Sequence, residues 1–120
     1  MSYFWDSYAV IELMSGNANY AKYSSEEIMI TVFNLVEIYW HAMHEYGEKE
    51  AQMIYGTYRK AVVEPDDEAF MEAIRFRKEH KKKGISYADC IGYIYAKRHG
   101  LKFLTGDRQF ERLPNVEYAK

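Results

Sequence analysis

Residues 86–114 read SYADCIGYIYAKRHGLKFLTGDRQFERLP, a stretch in which helix, strand and turn follow one another, with Asp89 in the helix's first turn and Asp107 in the turn after the strand. Ser86-x-x-Asp89 is a variant capping box with Asp in the third helical position, so a helix opens there, and Arg98-His99-Gly100 stops it. Leu101, Lys102, Phe103 and Leu104 then read as a strand, after which Thr105-Gly106-Asp107 turns toward a short helical piece holding Phe110.

Outward from this stretch the same alternation recurs. Tyr3 to Trp5 is short and aromatic, as a strand prefers, and ends at Asp6-Ser7, two good helix caps. The helix that follows runs from about Ser7 to Met14, burying Val10, Leu13 and Met14, until Gly16-Asn17 stops it. Ile28 to Thr31 reads as a second strand, and Phe33 onward as helix. On that helix Val32, Val36, Tyr39, Trp40 and Met43 recur at three- and four-residue spacing as an apolar stripe with Glu37 at its border. A further helix spans about Glu48 to Arg59. Ala61-Val62-Val63, bounded by Glu64-Pro65-Asp66, is a third strand, and a helix from about Asp67 to Lys82 begins acidic and ends basic, as the helix dipole favours. Val116 to Ala119 supplies a short last strand.

Strands alternating with helices predict an α/β fold: a central parallel sheet of four or five strands covered by helices on both faces. The chain's 120 residues suffice for one domain, 1–120, with a core that needs no staples. The single cysteine, Cys90, excludes an internal disulfide framework and a thiolate-rich zinc site, and reads as a small buried residue. No apolar run approaches the roughly 20 residues that span a bilayer, and the start of the chain lacks a signal-peptide pattern, so a cytoplasmic protein with no membrane partner is expected. A net charge of -2 provides no global positive field for nucleic acid; such binding must come from a local patch. The 12 tyrosines are expected at half-buried positions, ring packed and hydroxyl wet.

Asp6, Glu37, Asp89 and Asp107 each sit where a strand or turn gives way to helix, or at a helix border. Taken singly, Asp6 and Asp107 serve equally as caps, and Asp89 as a first-turn acid favoured by the helix dipole. Glu37, flanked by Val36 and Ile38, is harder to explain, because partial burial of an unpaired acid is costly. Asp89, Gly92, Tyr93 and Ala96 share one helix face whose small residues permit close approach. In parallel sheets functional groups gather beyond the carboxyl ends of strands, and Asp6 and Asp107 fall at two such ends. Four converging carboxylates require a counter-ion, and oxygen-only ligands suit Mg²⁺ or Mn²⁺ better than Zn²⁺. Ser7 and Thr105 are supporting hydroxyls for such a site.

With these residues the chain resembles the PIN-domain ribonucleases, and within them the VapC-like toxins of prokaryotic toxin-antitoxin pairs, over nearly its whole length. Asp6 with Ser7 is similar to the family's first-strand aspartate and hydroxyl, Glu37 to its second-helix glutamate, Asp89 to the acid opening its penultimate long helix, and Thr105-Gly106-Asp107 to its Thr-x-Asp element. Phe110, Leu113 and Pro114 complete the Asp-helix-His-Gly-strand-Thr-x-Asp-x-x-Phe-x-x-Leu-Pro pattern, while Tyr8 stands where a small polar residue is common. The resemblance implies a three-layer α/β/α sandwich, Mg²⁺ or Mn²⁺ dependence through Asp6, Glu37, Asp89 and Asp107, endonucleolytic cleavage of RNA, a homodimer and inhibition by a small antitoxin. The alternative within the same fold is a catalytically silent RNA- or protein-binding adaptor. A phospho-accepting receiver domain is disfavoured, because adjacent acids after the first strand and a lysine at a late strand end are missing.

A basic helix end containing Arg75, Arg77, Lys78, Lys81, Lys82 and Lys83 is either a solvated face or a phosphate-contact patch, with Arg75, Lys78 and Lys82, together with Arg108, as candidate RNA contacts. His41 and His44 lack metalloprotease spacing and read as surface histidines.

Overall fold

The computed structural model describes residues 2–81 and 84–120. Strands β1 (Tyr3–Trp5), β2 (Lys102–Thr105) and β3 (Val116–Tyr118) form a parallel sheet in that order. Phe4 pairs with Phe103 and Trp5 with Leu104, and Phe103 in turn pairs with Val116. Between β1 and β2 the chain makes α1 (Ser7–Met14), a 3₁₀ segment (Ala18–Tyr23), α2 (Val32–Tyr46), α3 (Glu48–Arg59), α4 (Asp67–Glu79) and α5 (Tyr87–Arg98).

Side chains alternate across a strand, and this distributes the core to both faces of the sheet. Phe4 and Phe103 pack with Ala73 of α4 and Ile91 and Ile94 of α5 on one side. Tyr3, Trp5 and Leu104 pack with Ala9 and Val10 of α1 and Leu35 and Ile38 of α2 on the other. The result is three layers, α/β/α. Each large apolar side chain fully buried this way contributes about 1.5–3 kcal/mol before the entropy of ordering it. Three of the tyrosines differ from expectation, being buried with hydroxyls that take protein partners. Tyr20 donates to the Ala119 carbonyl at 2.6 Å, Tyr23 to Glu117 at 2.6 Å and Tyr93 to the Pro114 carbonyl at 2.7 Å, tying the final strand region to the helices.

Among the described residues the sheet has three strands, which corrects the expectation of four or five. Of the segments read as strands at 28–31 and 61–63, the first lies beside β1, where Trp5 N–H donates to the Met29 carbonyl, and the second lies beside the first, where Ile30 and Val62 form one isolated parallel bridge. Neither lengthens into a ladder, because both ends are claimed. Thr31 is the N-cap of α2, in a reciprocal capping box with Asn34, and Pro65, without an N–H to donate, follows Val63-Glu64.

The apolar stripe read on α2 is also corrected. Val32, Val36, Trp40 and Met43 are exposed, and the helix buries Asn34, Leu35, Ile38 and Ala42 instead. Periodicity places residues on a common face without saying which face meets the core. The helix read as Asp67 to Lys82 is described to Glu79, with Lys82 outside the described residues.

Gly92 on α5 is where helix and sheet meet most closely. A Cβ there would fall 2.5 Å from Cε1 of Phe4 and 3.2 Å from Cε1 of Phe103, both rings being fully buried. Alanine normally gains about 1 kcal/mol over glycine in a helix, but overpacking a filled core costs about 1–3 kcal/mol. Gly92→Ala is expected to give no stabilisation and a net loss of about 1 kcal/mol in urea unfolding, in contrast to the gain expected at Gly56 of α3, where a Cβ meets nothing within 4 Å.

Candidate active site

The β1–β2 pairing sets the site. Asp6 directly follows β1, and its backbone N–H donates to the Leu104 carbonyl at 3.0 Å, fixing it beside the carboxyl end of β2. Although Asp6 occupies the N-cap position of α1, its side chain makes no capping bond. Its Oδ2 accepts instead from Thr105 Oγ1 at 2.6 Å, with Asp6 only 3% exposed and Thr105 fully buried. Capping therefore does not explain Asp6. Asp89 is likewise released from that duty, because Ser86 Oγ accepts the Asp89 N–H at 3.1 Å and caps α5 by itself. Asp107 does cap: its Oδ1 accepts from Gln109 N–H at 2.9 Å, while its own N–H donates to Thr105 Oγ1 at 3.0 Å.

Glu37 reaches the same place from α2. Ser7 Oγ donates to Glu37 Oε1 and accepts from Asn34 Nδ2 at 2.9 Å, and Asn34 Oδ1 accepts from both Thr31 N–H and Thr31 Oγ1 at 2.9 and 3.0 Å. This chain of bonds begins in the α2 capping box and ends at the carboxylate. Thr31 and Asn34 were missed as site residues in the sequence; the available signal was the Thr31-x-x-Asn34 spacing, hidden because Thr31 read as strand.

Asp6, Glu37, Asp89 and Asp107 all line one cavity of about 920 Å³, together with Ser7 and Arg108. Residues far apart in sequence are thereby brought together. Of the candidate phosphate contacts among the described residues, Arg108 lines this cavity and the others do not. Arg75 lines a separate depression with Glu72 and Glu79, Lys78 is exposed on α4 away from the lining, and Lys82 lies outside the described residues. The lining also includes Tyr8, Trp40, His41 and Lys120, which were not read as site residues. Gly106 makes room for Tyr8: a Cβ there would lie 2.2 Å from the Tyr8 ring and 2.6 Å from the Ala119 carbonyl oxygen.

Burial raises the carboxyl pKa of Asp6 well above its ordinary value, and the neighbouring Asp89 charge adds to the rise while the Thr105 hydroxyl opposes it. Asp89 is raised by burial too, with its bonds to Asp6 and Ser86 opposing and the Asp107 charge adding. Glu37 is raised by burial against the Ser7 hydroxyl, with Asp89 adding. By surface area Glu37 is exposed at the rim, so crowding by the walls sets the direction of its shift and solvent access limits it. Among the described residues no lysine or arginine pairs with any of the four acids; the ion pairs there join Arg98 to Glu68 and Glu72. Nor are three or more His, Cys, Asp or Glu side chains already gathered as a closed ligand set among those residues. The acids surround a cavity rather than touch one point. Raised, uncompensated carboxylates with oxygen-only chemistry fit a hard divalent cation, which would relieve both the desolvation and the mutual repulsion.

A family model described as the PIN domain matches residues 3–116. Among solved structures the chain is similar to a toxin-antitoxin complex from Klebsiella pneumoniae, with TM-score 0.75, 20% identity, and 97% of this chain and 96% of that one covered. It is similar to a DNA-bound VapBC from Salmonella typhimurium, with TM-score 0.72, 18% identity and coverage of 98% and 96%. It is also similar to Mycobacterium tuberculosis VapC20, described as a sarcin-ricin loop cleaving toxin, with TM-score 0.78, 17% identity and coverage of 99% and 100%. At these identities the likeness is one of fold. No curated protein matches the chain in sequence.

The upward shift of Asp6 has a thermodynamic consequence. Between the unfolded and the raised folded pKa the folded chain binds more protons than the unfolded chain, so stability falls as pH rises through that window. In chelator, Asp6→Asn is expected to melt several degrees above the unsubstituted chain at neutral pH, and the gap should narrow as pH falls toward the ordinary carboxylate range. A gap independent of pH in differential scanning fluorimetry would show that the Asp6 charge is not strained.

Proposed function

Because the chain belongs to the PIN-domain family, we propose that it is a Mg²⁺- or Mn²⁺-dependent endoribonuclease and the toxin of a type II toxin-antitoxin pair. The observation that carries this reading is the convergence of Asp6, Glu37, Asp89 and Asp107 on one cavity without a basic partner among the described residues. These four would hold the cation, directly or through water. When bound, such a cation supplies Lewis acidity toward water and toward the scissile phosphate.

The chain's own residues do the positioning. Thr105 holds Asp6 by one bond and the Asp107 backbone by another, so a single buried hydroxyl orients acids from both strand ends. Ser7, itself held by Asn34, orients Glu37. Fixing carboxylates in advance avoids their reorganisation during the reaction, the larger part of electrostatic catalysis. Arg108 at the cavity wall would offset phosphate charge on bound RNA.

The toxin role is supported by the fold similarity to toxin-antitoxin complexes. A small antitoxin and a homodimer belong to the same reading, and the exposed Met53, Met71 and Ile74 are large apolar side chains suited to protein contacts.

Asp6→Asn and Asp89→Asn are each expected to lower Mg²⁺-dependent RNA cleavage by at least about 100-fold while circular dichroism stays unchanged. Undiminished cleavage by either purified variant refutes the assignment. Titration with Mn²⁺ in a calorimeter should give binding heat that Asp89→Asn reduces; no heat at millimolar ion favours the adaptor reading.

Asn34→Ala is expected to reduce cleavage about tenfold or more by freeing Ser7 and Glu37, and to cost about 1–3 kcal/mol of stability through the lost buried bonds. Asn34→Asp, which keeps an acceptor for Thr31 but cannot donate to Ser7, separates the two effects in paired activity and unfolding measurements.

A further inference from the structure

Arg77 is set apart from the rest of the basic end of α4. Arg75 and Lys78 are exposed, whereas Arg77 is half-buried, and among the described residues the ion pairs belong to Arg98. Arg77 Nε donates instead to the Ile85 carbonyl at 2.9 Å, and the guanidinium carbon lies 4.2 Å from the centre of the Tyr87 ring. These two residues flank Ser86, the N-cap of α5. Arg77 therefore grips the chain immediately before and immediately after the residue whose Oγ takes the Asp89 N–H at 3.1 Å.

Helix formation explains neither contact. The first acceptor of the α5 ladder is the Ser86 carbonyl, which takes the Cys90 N–H at 3.1 Å, so the Ile85 carbonyl lies outside the ladder and needs a donor from elsewhere. A cation suits the end of α4 but is disfavoured at the start of α5, where the helix dipole is positive, so charge alone would keep Arg77 on its own helix. The Ile85 side chain is buried in the core with Ala73 and Ile91, which anchors the residue and leaves the orientation of its peptide plane to the carbonyl bond. Tyr87 is 57% exposed, and the guanidinium lies over its ring.

We propose that Arg77 is a positioning residue for Asp89: by holding the Ile85 carbonyl and the Tyr87 ring it fixes the cap at Ser86 and, through it, the first turn of α5 that carries the carboxylate to the cavity. This role rests on the reading of the four acids as a cation site. It is geometric and involves no contact with RNA, since Ser86 and Asp89 line the cavity and Arg77 does not. Groups that orient metal ligands typically change metal affinity or activity by about 10–100-fold. Arg77 acts one step further back, through the cap, and belongs at the lower end of that range.

Glutamine carries its amide nitrogen the same number of bonds from Cα as arginine carries Nε, so Arg77→Gln keeps a donor for the Ile85 carbonyl while losing the charge and the ring contact. Arg77→Met loses all three. Arg77→Met is expected to lower kcat for Mg²⁺-dependent RNA cleavage about tenfold with KM unchanged and to weaken Mn²⁺ binding several-fold in calorimetry, and Arg77→Gln should recover most of both. In chelator, the nitrogen-15 order parameters of the Ser86 and Asp89 amides should fall from about 0.85 toward about 0.6 in Arg77→Met and stay high in Arg77→Gln. Arg77→Lys, which keeps the charge, should recover no more than Arg77→Gln. Working well below the melting temperature of every variant keeps unfolding out of the comparison.

A rise in KM with kcat kept, or recovery by Arg77→Lys without recovery by Arg77→Gln, marks a phosphate contact and overturns the proposal. Unchanged order parameters or unchanged Mn²⁺ affinity in Arg77→Met overturns it as well. An unsubstituted chain that binds Mn²⁺ but cleaves no RNA, with the expected order parameters and Mn²⁺ affinities, removes the nuclease reading and leaves the hold of Arg77 on Asp89 standing. Absence of Mn²⁺ heat from the unsubstituted chain removes the cation site, and the order parameters alone then decide whether Arg77 positions Asp89.

Discussion

The parallel pairing of β1 with β2 is the contact from which the rest of the molecule follows. Trp5 opposite Leu104 brings together residues near the two ends of the chain, and the Asp6 N–H bonded to the Leu104 carbonyl extends that pairing by one step. The acid after β1 then lies beside the last residue of β2, and Thr105 can reach Asp6 with its hydroxyl and the Asp107 backbone with its lone pairs. A slip of one residue would turn every side chain of β1 to the opposite face, sending Phe4 away from Phe103 and Gly92. The same register thus fixes both the core and the positions of two acids.

The site is maintained at a cost in stability. Burial disfavours the charged forms of Asp6, Asp89 and Glu37, and among the described residues no basic side chain offsets them. Hydroxyls and an amide hold them in place: Thr105, Ser86, Ser7 and, behind Ser7, Asn34. Neutral hydrogen-bond donors orient an acid without occupying it as a lysine or arginine would, which leaves the carboxylates available to a ligand. The sandwich around them can tolerate the penalty, since both faces of the sheet carry fully buried aromatic and branched side chains.

Much of this was legible along the chain. Local signals placed α1 between the caps at Asp6-Ser7 and the stop at Gly16, α3 between Gly47 and Arg59, and α5 between Ser86 and His99, because caps, glycine stops and short β-prone runs act through neighbours in sequence. Two errors share a cause. Residues 28–31 and 61–63 have strand composition, yet Thr31 is drawn into a helix cap and the pair contributes one bridge; Val36 and Trp40 have helical spacing, yet face outward. In both, a local preference was read correctly and its tertiary use was not.

The residues alone determined which acids could matter, since Asp6, Glu37, Asp89 and Asp107 each sit at a junction or border that local rules identify. They could not say whether Asp6 was a cap, because capping and pocket placement require the same residue at the same spot; the bond from Thr105, 99 positions away, separates the two. Nor could they reveal that Asn34 supports Glu37 through Ser7, or that His41 ends up on a cavity wall. Hydrogen bonds between distant segments and the orientation of a helix about its axis depend on what packs against it, and that partner exists only once the chain has folded.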